Sequence, residues 1–358
     1  MPMMARTKRL LFSSIVLVLL AAAIAGLLLV RRHAAPESAR LLPECDGVVY
    51  VNLRNIHRLT SFSNTPAPKH DPEYEDFIRQ TGFDFERDLE EAAFAIHLGT
   101  AVNGRTSENH YSQVLVGHFD HQRVQAYLRK IGQSVDSYEG VEVFNVPVED
   151  RTVRAAILSI DSVAISNVQD ASVIRGMIDR SRHLALPVRG PSLLAQYYRD
   201  VPFASLIWAI ARIPAAPADP RAASPFPLPG GFEMLLPYGS MVIASVRYVG
   251  AVHAKVEFLL PGEQQARQFT SQASAFLEMF KSIESSLHAS GNDPDVKAVF
   301  DSIKVQQEKD HAILSASIPT GFLKKFFAEP MFALDQQKES PASKPPASKH
   351  KHNRPKQR

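Results

Sequence analysis

An uninterrupted apolar run at residues 10–30 is the strongest feature of the hydrophobic pattern. The run, LLFSSIVLVLLAAAIAGLLLV, contains no charged side chain, and Arg9 and Arg31 stand at its two ends. A helix of this length spans about 30 Å, which is the hydrocarbon thickness of a bilayer. Because a single segment in lipid must satisfy its own backbone hydrogen bonds, the run predicts a transmembrane helix.

A cleaved signal peptide is the alternative interpretation of this run. Ala23, Ile24 and Ala25 have the small–x–small form of a cleavage site. The apolar pattern nevertheless continues through Val30, so cleavage would leave an apolar end on the mature chain. This continuation favours an uncleaved signal anchor that crosses the membrane once.

Residues 46–200 alternate between the periodicity of strands and that of helices. Residues 46–53 combine β-branched and aromatic side chains after a turn, which predicts a strand. Val124, Tyr127 and Leu128 recur at helical spacing, so a helix is predicted over 121–131. Further strands are predicted at 93–98, 112–119, 141–147, 153–160 and 162–167, and further helices at 72–82 and around Val173, Ile174, Met177 and Ile178.

Residues 201–332 repeat this order of elements. The strand at 203–213 corresponds to the first strand, and a Pro-rich loop at 214–231 corresponds to an earlier Pro-containing loop. The segment VHAKVEFLLPGEQQARQF, a strand, turn and helix, corresponds to SQVLVGHFDHQRVQAY. Strands interrupted by single helices are typical of α+β folds. We therefore predict an α+β fold in which an N-terminal transmembrane helix is followed by two related lobes of antiparallel sheet packed with helices.

The predicted organisation has six parts. They are a basic N-terminal tail at 1–9, the transmembrane helix at 10–30, a stalk at 31–45, a first lobe at 46–200, a second lobe at 201–332 and a disordered basic tail at 333–358. The last part is almost free of apolar residues, so it buries too little surface to offset its chain entropy.

The two ends of the chain are basic, whereas the part between them is acidic. Residues 1–32 carry five Lys and Arg and no acid, and residues 338–358 carry seven against one acid. Residues 33–337 hold 28 basic and 36 acidic side chains, a formal charge of −8. An acidic body repels phosphate backbones, so we expect no nucleic acid to bind it.

The basic ends also predict location and partners. A short basic tail before a long translocated domain favours a body outside the bacterial inner membrane, in the periplasm or another extracytoplasmic space. The lipid bilayer is then the partner of residues 10–30. The basic C-terminal tail predicts weak attraction to anionic lipid or cell-wall polymers, with a solubilising extension as the alternative.

Residue types that carry chemistry are sparse. Cys45 is the chain's one cysteine, which excludes an internal disulfide and a multi-cysteine zinc site. We interpret it as a small, half-buried residue at the start of a strand. The sequence lacks the fingerprints of nucleophilic serine hydrolases, phosphate loops and dinucleotide-binding folds, so we expect no cofactor.

The stretch GHFDHQRV at 117–124 is the most suggestive cluster of titratable residues. It places His118, Asp120 and His121 within four positions. The corresponding turn of the second half, LLPGEQQARQF, contains no histidine. We therefore interpret Asp120 as the N-cap of the helix at 121–131, with both histidines facing solvent. A metal site and an acid–base pair are the alternatives.

Three short motifs stand out in the first half of the chain, which are the opening strand LPECDGVVYVNL, the element TGFDFERDL at 81–89, and the Tyr-x-Gly-Val strand with Tyr138, Gly140 and Val141. In these motifs the chain resembles a family of bacterial membrane-anchored proteins of unknown function with a duplicated α+β ectodomain. The likeness covers residues 41–213 best. It implies the architecture, and it implies neither catalytic residues nor a ligand.

Two non-enzymatic functions fit these patterns, and an enzyme, which would require a converging cluster of polar side chains, is the third option. The first is a membrane-anchored, non-enzymatic envelope protein with a structural or interaction role. The second is a periplasmic binding module that holds a lipid, peptide or glycan in a cleft between the two lobes. For the second, the Pro-rich loop would form the rim of the ligand cleft together with Trp208, Phe226 and Phe232.

Overall fold

The computed structural model describes residues 34–59, 70–99, 101–102, 105–106, 108–183, 190–216, 236–287 and 294–319. The predicted span at 10–30, Phe226, Phe232 and the tail at 333–358 lie outside these residues. Within the described ranges, no helix combines the length and the apolar character that a membrane crossing requires.

The described residues form a mixed α+β fold. The helices are α1 (Glu37–Arg40), α2 (Leu53–Leu59), α3 (Pro72–Thr81), α4 (Phe85–Asp88), α5 (His121–Ile131), α6 (Ala171–Ser181), α7 (Ser192–Tyr197), α8 (Glu263–Leu287) and α9 (Pro294–Ser302). The strands are β1 (Gly47–Asn52), β2 (Leu89–His97), β3 (Ala101–Val102), β4 (Arg105–Thr106), β5 (His110–Gly117), β6 (Ser134–Tyr138), β7 (Val141–Val148), β8 (Arg151–Ile157), β9 (Ser162–Ser166), β10 (Ile207–Arg212), β11 (Met241–Val249), β12 (Ala251–Leu259), β13 (Lys304–Glu308) and β14 (His311–Ile318).

Twelve of these strands form one antiparallel sheet in the order β13-β14-β12-β11-β10-β1-β2-β5-β9-β8-β7-β6. At its centre β1 pairs with β10, with Tyr50 opposite Trp208. The strands of the two halves of the chain lie on either side of this central pair. Because the halves share one continuous sheet, the two lobes predicted from the sequence are not confirmed as separate bodies.

The strand order outward from the central pair is similar in the two halves. The first half runs β1, β2, β5, β9, β8, and the second runs β10, β11, β12, β14, β13. In each half the third strand leads into a helix, α5 or α8, before the chain returns to pair beside that strand. The first half extends further, with β7 and β6 at its outer edge.

Both faces of the sheet are covered by helices. On one face, α7 packs over β1 and β10, α1 over β2 and β5, and α6 over β8 and β9. The core on this face includes Val48, Ala93, Val114, Met177 and Leu194. On the other face, α8 packs over the second half through Phe258 and Phe269. The first half of that face has its own apolar cluster around Phe83 and Leu115.

Aspartate side chains begin four of the described helices, which are α3, α4, α5 and α6. Asp71 accepts a hydrogen bond from the backbone N–H of Glu73 at the start of α3. Asp170 does the same for α6, and Asp120 for α5. Such caps satisfy N–H groups that have no partner within the helix. Gly82 ends α3 with a φ of 72°. The helices predicted at 72–82 and at 121–131 are confirmed as α3 and α5.

The segment predicted as a stalk at 31–45 differs in the structure. Its described part contains α1, and Ala39 and Leu42 have no exposed surface. A free stalk would leave these apolar side chains in water, whereas burial against the sheet removes them from it. The body therefore begins by Ala35, which packs against the core, and residues 31–34 lie between it and the predicted span.

Candidate functional site

A cavity of about 350 Å³ lies where β1 ends and β10 begins. Antiparallel pairing places the last residues of β1 and the first residues of β10 at the same end of the sheet. We call this end, formed by Asn52, Ile207 and Val249, the pocket end. The cavity is lined by the segment 198–205, by Asn55 at the start of α2 and by Pro36. Its volume is at the lower limit of ordinary ligand pockets.

Stacked aromatic side chains form the floor of the cavity. Tyr50 and Trp208 are cross-strand partners, so both side chains point to the same face. Their ring centroids are 5.4 Å apart with an interplanar angle of 22°, and Tyr198 meets Trp208 edge-on at 5.2 Å. Only 3% of Tyr50 and 2% of Trp208 is exposed. The floor is therefore a cluster of closely packed aromatic rings.

Polar groups lie beside this floor. The side-chain amide of Asn52 donates to the Tyr50 hydroxyl at 3.2 Å, and its oxygen accepts from the Asn55 N–H at 2.9 Å. Burial, followed by the nearby Glu91 carboxylate, raises the pKa of Tyr50. The phenol therefore stays protonated at neutral pH. Arg199 and Asp200 add opposite charges to the lining.

The turn before β10 shapes the outer side of the cavity. The N–H and hydroxyl of Ser205 both donate to the carbonyl of Pro202, at 3.3 and 2.6 Å. Ala204 has a φ of 60°, the left-handed conformation that non-glycine residues seldom adopt. The turn carries Phe203, of which 61% is exposed.

The structure locates one of the three residues predicted for a ligand-cleft rim. Trp208 lines the cavity, although it belongs to the floor and not to the rim. Phe226 and Phe232 lie outside the described residues, so their part in a rim stays a prediction. Tyr50 and Tyr198 were missed because no local pattern reveals that β1 pairs with a strand about 160 residues away.

The GHFDHQRV stretch is a strand-to-helix turn. Asp120 caps α5, accepting a hydrogen bond from the Arg123 N–H at 3.2 Å. The side chain of His118 is 79% exposed, and His121 Nε2 lies 3.1 Å from the carbonyl oxygen of Ser159. Neither histidine belongs to a group of three or more potential metal ligands within the described part of the chain.

A buried histidine–serine cluster lies within the sheet on the face covered by α1. His97 Nε2 is 3.1 Å from the hydroxyl of Ser112, which is 2.9 Å from the hydroxyl of Ser166. Desolvation lowers the pKa of His97, so the imidazole is neutral at neutral pH. Ser112 has no exposed surface, and therefore no substrate reaches its hydroxyl. We interpret the cluster as a hydrogen-bonded part of the core.

A buried carboxylate lies between β12 and β14. Glu257 is 8% exposed, and its oxygens lie 2.6 Å from Lys255 Nζ and 2.7 Å from His311 Nδ1. Burial alone would raise the pKa of Glu257. The hydrogen bonds from Lys255 and His311 outweigh burial and lower it. The cluster pairs charges within the sheet, and none of its three residues lines the cavity at the pocket end.

Glu257 makes part of the stability dependent on pH. A carboxylate with a lowered folded-state pKa stabilises the protein above its unfolded pKa of about 4.3, and this contribution is lost as the pH falls further. We expect Glu257→Gln to lower the free energy of unfolding by about 1.5–3 kcal/mol at pH 7. Denaturant titrations at pH 7 and below pH 4 should show this difference shrinking. Glu263→Gln, at an exposed ion pair on α8, is the matched control. An equal decrease in the free energy of unfolding at both pH values would contradict a stabilising role of the ionised Glu257 carboxylate.

Comparisons with known proteins give distant structural similarity. No family model matches the chain, and no curated protein matches it. Crystal form III of TP0453 is similar with a TM-score of 0.42 and 9% identity, covering 82% of this chain and 98% of that one. Crystal forms IV and I give TM-scores of 0.40 at 9% identity, covering 81% and 82% of this chain and 96% and 97% of theirs. At these scores we transfer neither fold nor function.

Proposed function

We propose that the protein is a membrane-anchored, non-catalytic binding module of the bacterial envelope. Residues 10–30 hold it in the inner membrane, and the body faces the extracytoplasmic side. The observation that carries this proposal is the cavity at the pocket end, with its aromatic floor and polar lining. Its ligand is a lipid, a peptide or a glycan.

The chemistry of the cavity supports binding. The half-buried Tyr198 ring and the small exposed parts of the Tyr50 and Trp208 rings offer apolar contacts to a ligand's carbon skeleton, and these rings lose little conformational entropy on binding. The amides of Asn52 and Asn55 and the charges of Arg199 and Asp200 provide orienting polar contacts. A few polar groups around an apolar floor are the usual composition of a small-ligand site.

The order of strands in the sheet supports an internal duplication. Strand order is similar on the two sides of the β1–β10 pair, and the cavity lies at that pair. We propose that the body consists of two related halves joined through this central pair. In this proposal the ligand site is a pocket where the two halves meet within one sheet. It takes the place of the cleft between two separate lobes that the sequence predicts.

The alternative function depends on the C-terminal tail and not on the cavity. In it the protein is an envelope protein whose seven Lys and Arg residues at 338–358 attract anionic lipid or cell-wall polymer. Its test compares binding of the full chain to anionic vesicles with and without residues 335–358. Equal retention of both forms counts against a role for the tail.

The fluorescence of Trp208 tests the proposed binding function. The chain has one tryptophan, so its emission reports on the cavity floor without interference from other indoles. The full chain in nanodiscs is titrated in turn with lipids, peptides and glycans. We expect one of these ligand classes to change the Trp208 emission in a saturable way. Arg199→Ala should raise the Kd by about tenfold or more, the equivalent of a hydrogen bond to a charged group.

The control for this titration is Val148→Ser, at an exposed hairpin position of the opposite end of the sheet. It should leave the Kd unchanged. Absence of a saturable response to all three ligand classes would contradict the proposal. So would a response that Arg199→Ala leaves at full affinity.

A further inference from the structure

The most exposed large apolar side chains of the described residues all lie at the pocket end. Ile160 is 82% exposed, Val249 is 70% exposed and Phe203 is 61% exposed. Each lies in or beside a turn, between β8 and β9, between β11 and β12, or before β10. Turns at a protein surface usually carry polar residues and glycine, so apolar side chains there indicate a surface with an apolar neighbour.

The register of the sheet places two of these turns beside each other. Ile207 pairs with Val246, so the turn of Phe203 and the hairpin of Val249 extend from adjacent strands. The turn of Ile160 is several strands away in the sheet order. A twist of about 20–25° per strand rotates it relative to the other two. The inference therefore rests on Phe203 and Val249.

The path of the chain brings this end close to the membrane. Pro36 lines the cavity, so the chain enters the body at the pocket end. Residues 31–34 separate the body from the proposed transmembrane helix, and four extended residues reach about 14 Å. A tether this short holds the pocket end near the headgroups and leaves the opposite end distant.

We propose that the pocket end docks on the bilayer, with Phe203 and Val249 inserted into the interface between headgroups and acyl chains. This proposal rests on the membrane anchor of the proposed function and adds the orientation of the body. Aromatic and aliphatic side chains at this depth transfer apolar surface out of water. The cavity then faces the headgroup layer, and a lipid headgroup reaches it without leaving the membrane.

Site-directed labelling of the full chain in phosphatidylcholine vesicles tests the orientation. Phe203→Cys, Val249→Cys and Val148→Cys each carry an NBD fluorophore, and nitroxide-labelled lipids serve as the quencher. Val148 is the matched control because it is also an exposed valine beside a hairpin, 48% exposed, at the opposite end. The parent chain, with Cys45 alone, measures background labelling. These are surface positions, where substitution has little effect on folding.

We expect NBD emission at 203 and 249 to shift to the blue and to lose most of its intensity to nitroxide lipid, while NBD at 148 remains unaffected. High salt should leave the quenching in place, because the contact is apolar. Equal quenching at all three positions, or quenching at none, overturns the proposal. A blue shift at 203 and 249 without lipid quenching also overturns it and indicates a second copy of the chain as the neighbour.

Flotation of the same vesicles separates this proposal from the one on which it rests. A chain that floats with the lipid but shows no quenching at 203 and 249 keeps its anchor and loses the proposed orientation. A chain that fails to float overturns both the anchor and the orientation.

Discussion

Replacing Trp208 by alanine is expected to lower the free energy of unfolding by about 3–5 kcal/mol, as removal of a buried tryptophan does in other cores. Trp208 is 2% exposed and contacts the rings of both Tyr50 and Tyr198. The substitution removes these contacts and enlarges the cavity at the centre of the sheet. Denaturant unfolding followed by circular dichroism measures the loss.

The matched control is Phe203→Ala in the turn before β10, where 61% of the residue is exposed. Its expected change is within about 0.5 kcal/mol, the usual range for surface positions. If Trp208→Ala lowers the free energy of unfolding no more than this control does, then packing at the β1–β10 pair does not stabilise the sheet, and the prediction is wrong.

The second large effect concerns the reactivity of Cys45. Burial, followed by the adjacent Glu44 carboxylate, raises the pKa of this thiol to about 12. Thiolate is the reactive form, so a rise of about three pKa units lowers its fraction roughly a thousandfold at a given pH. We expect an aromatic disulfide reagent to label Cys45 in the native full chain about tenfold or more slower than in guanidinium, since the greater nucleophilicity of a high-pKa thiolate offsets part of the loss of thiolate.

Phe203→Cys supplies the reference for this experiment, because a thiol at that exposed position should react at the rate of an unperturbed cysteine. Labelling of Cys45 at a comparable rate would contradict the burial of this residue. The sequence interpretation of Cys45 as a half-buried residue at a strand start agrees with its place two residues before β1.

The sequence predicts those helices and strands whose boundaries depend on neighbouring residues, through apolar spacing, capping side chains and terminal glycines. Helix α5 follows from apolar spacing and from the capping aspartate at 120, and α3 ends where Gly82 adopts a left-handed conformation. Strand β2 begins at Leu89, four residues earlier than predicted. The pattern missed its first residues because Glu90 and Glu91 are unusual in a strand.

The candidate site could not be predicted because it depends on contacts between distant segments. Trp208 was singled out, but its cross-strand partner Tyr50 lies in a strand that pairs with β10 only through the tertiary fold. The same holds for Glu257, whose neighbour His311 comes from another strand. Period and composition reveal which face of a strand is apolar, but they do not reveal which strands are neighbours.

Alkaline carbonate extraction of membranes from cells producing the full chain tests whether residues 10–30 stay in the bilayer, on which both the proposed function and the proposed orientation depend. We expect the full chain to remain in the membrane pellet with integral proteins, while a variant lacking residues 10–30 appears in the wash. Recovery of the full chain in the wash would contradict the membrane anchor.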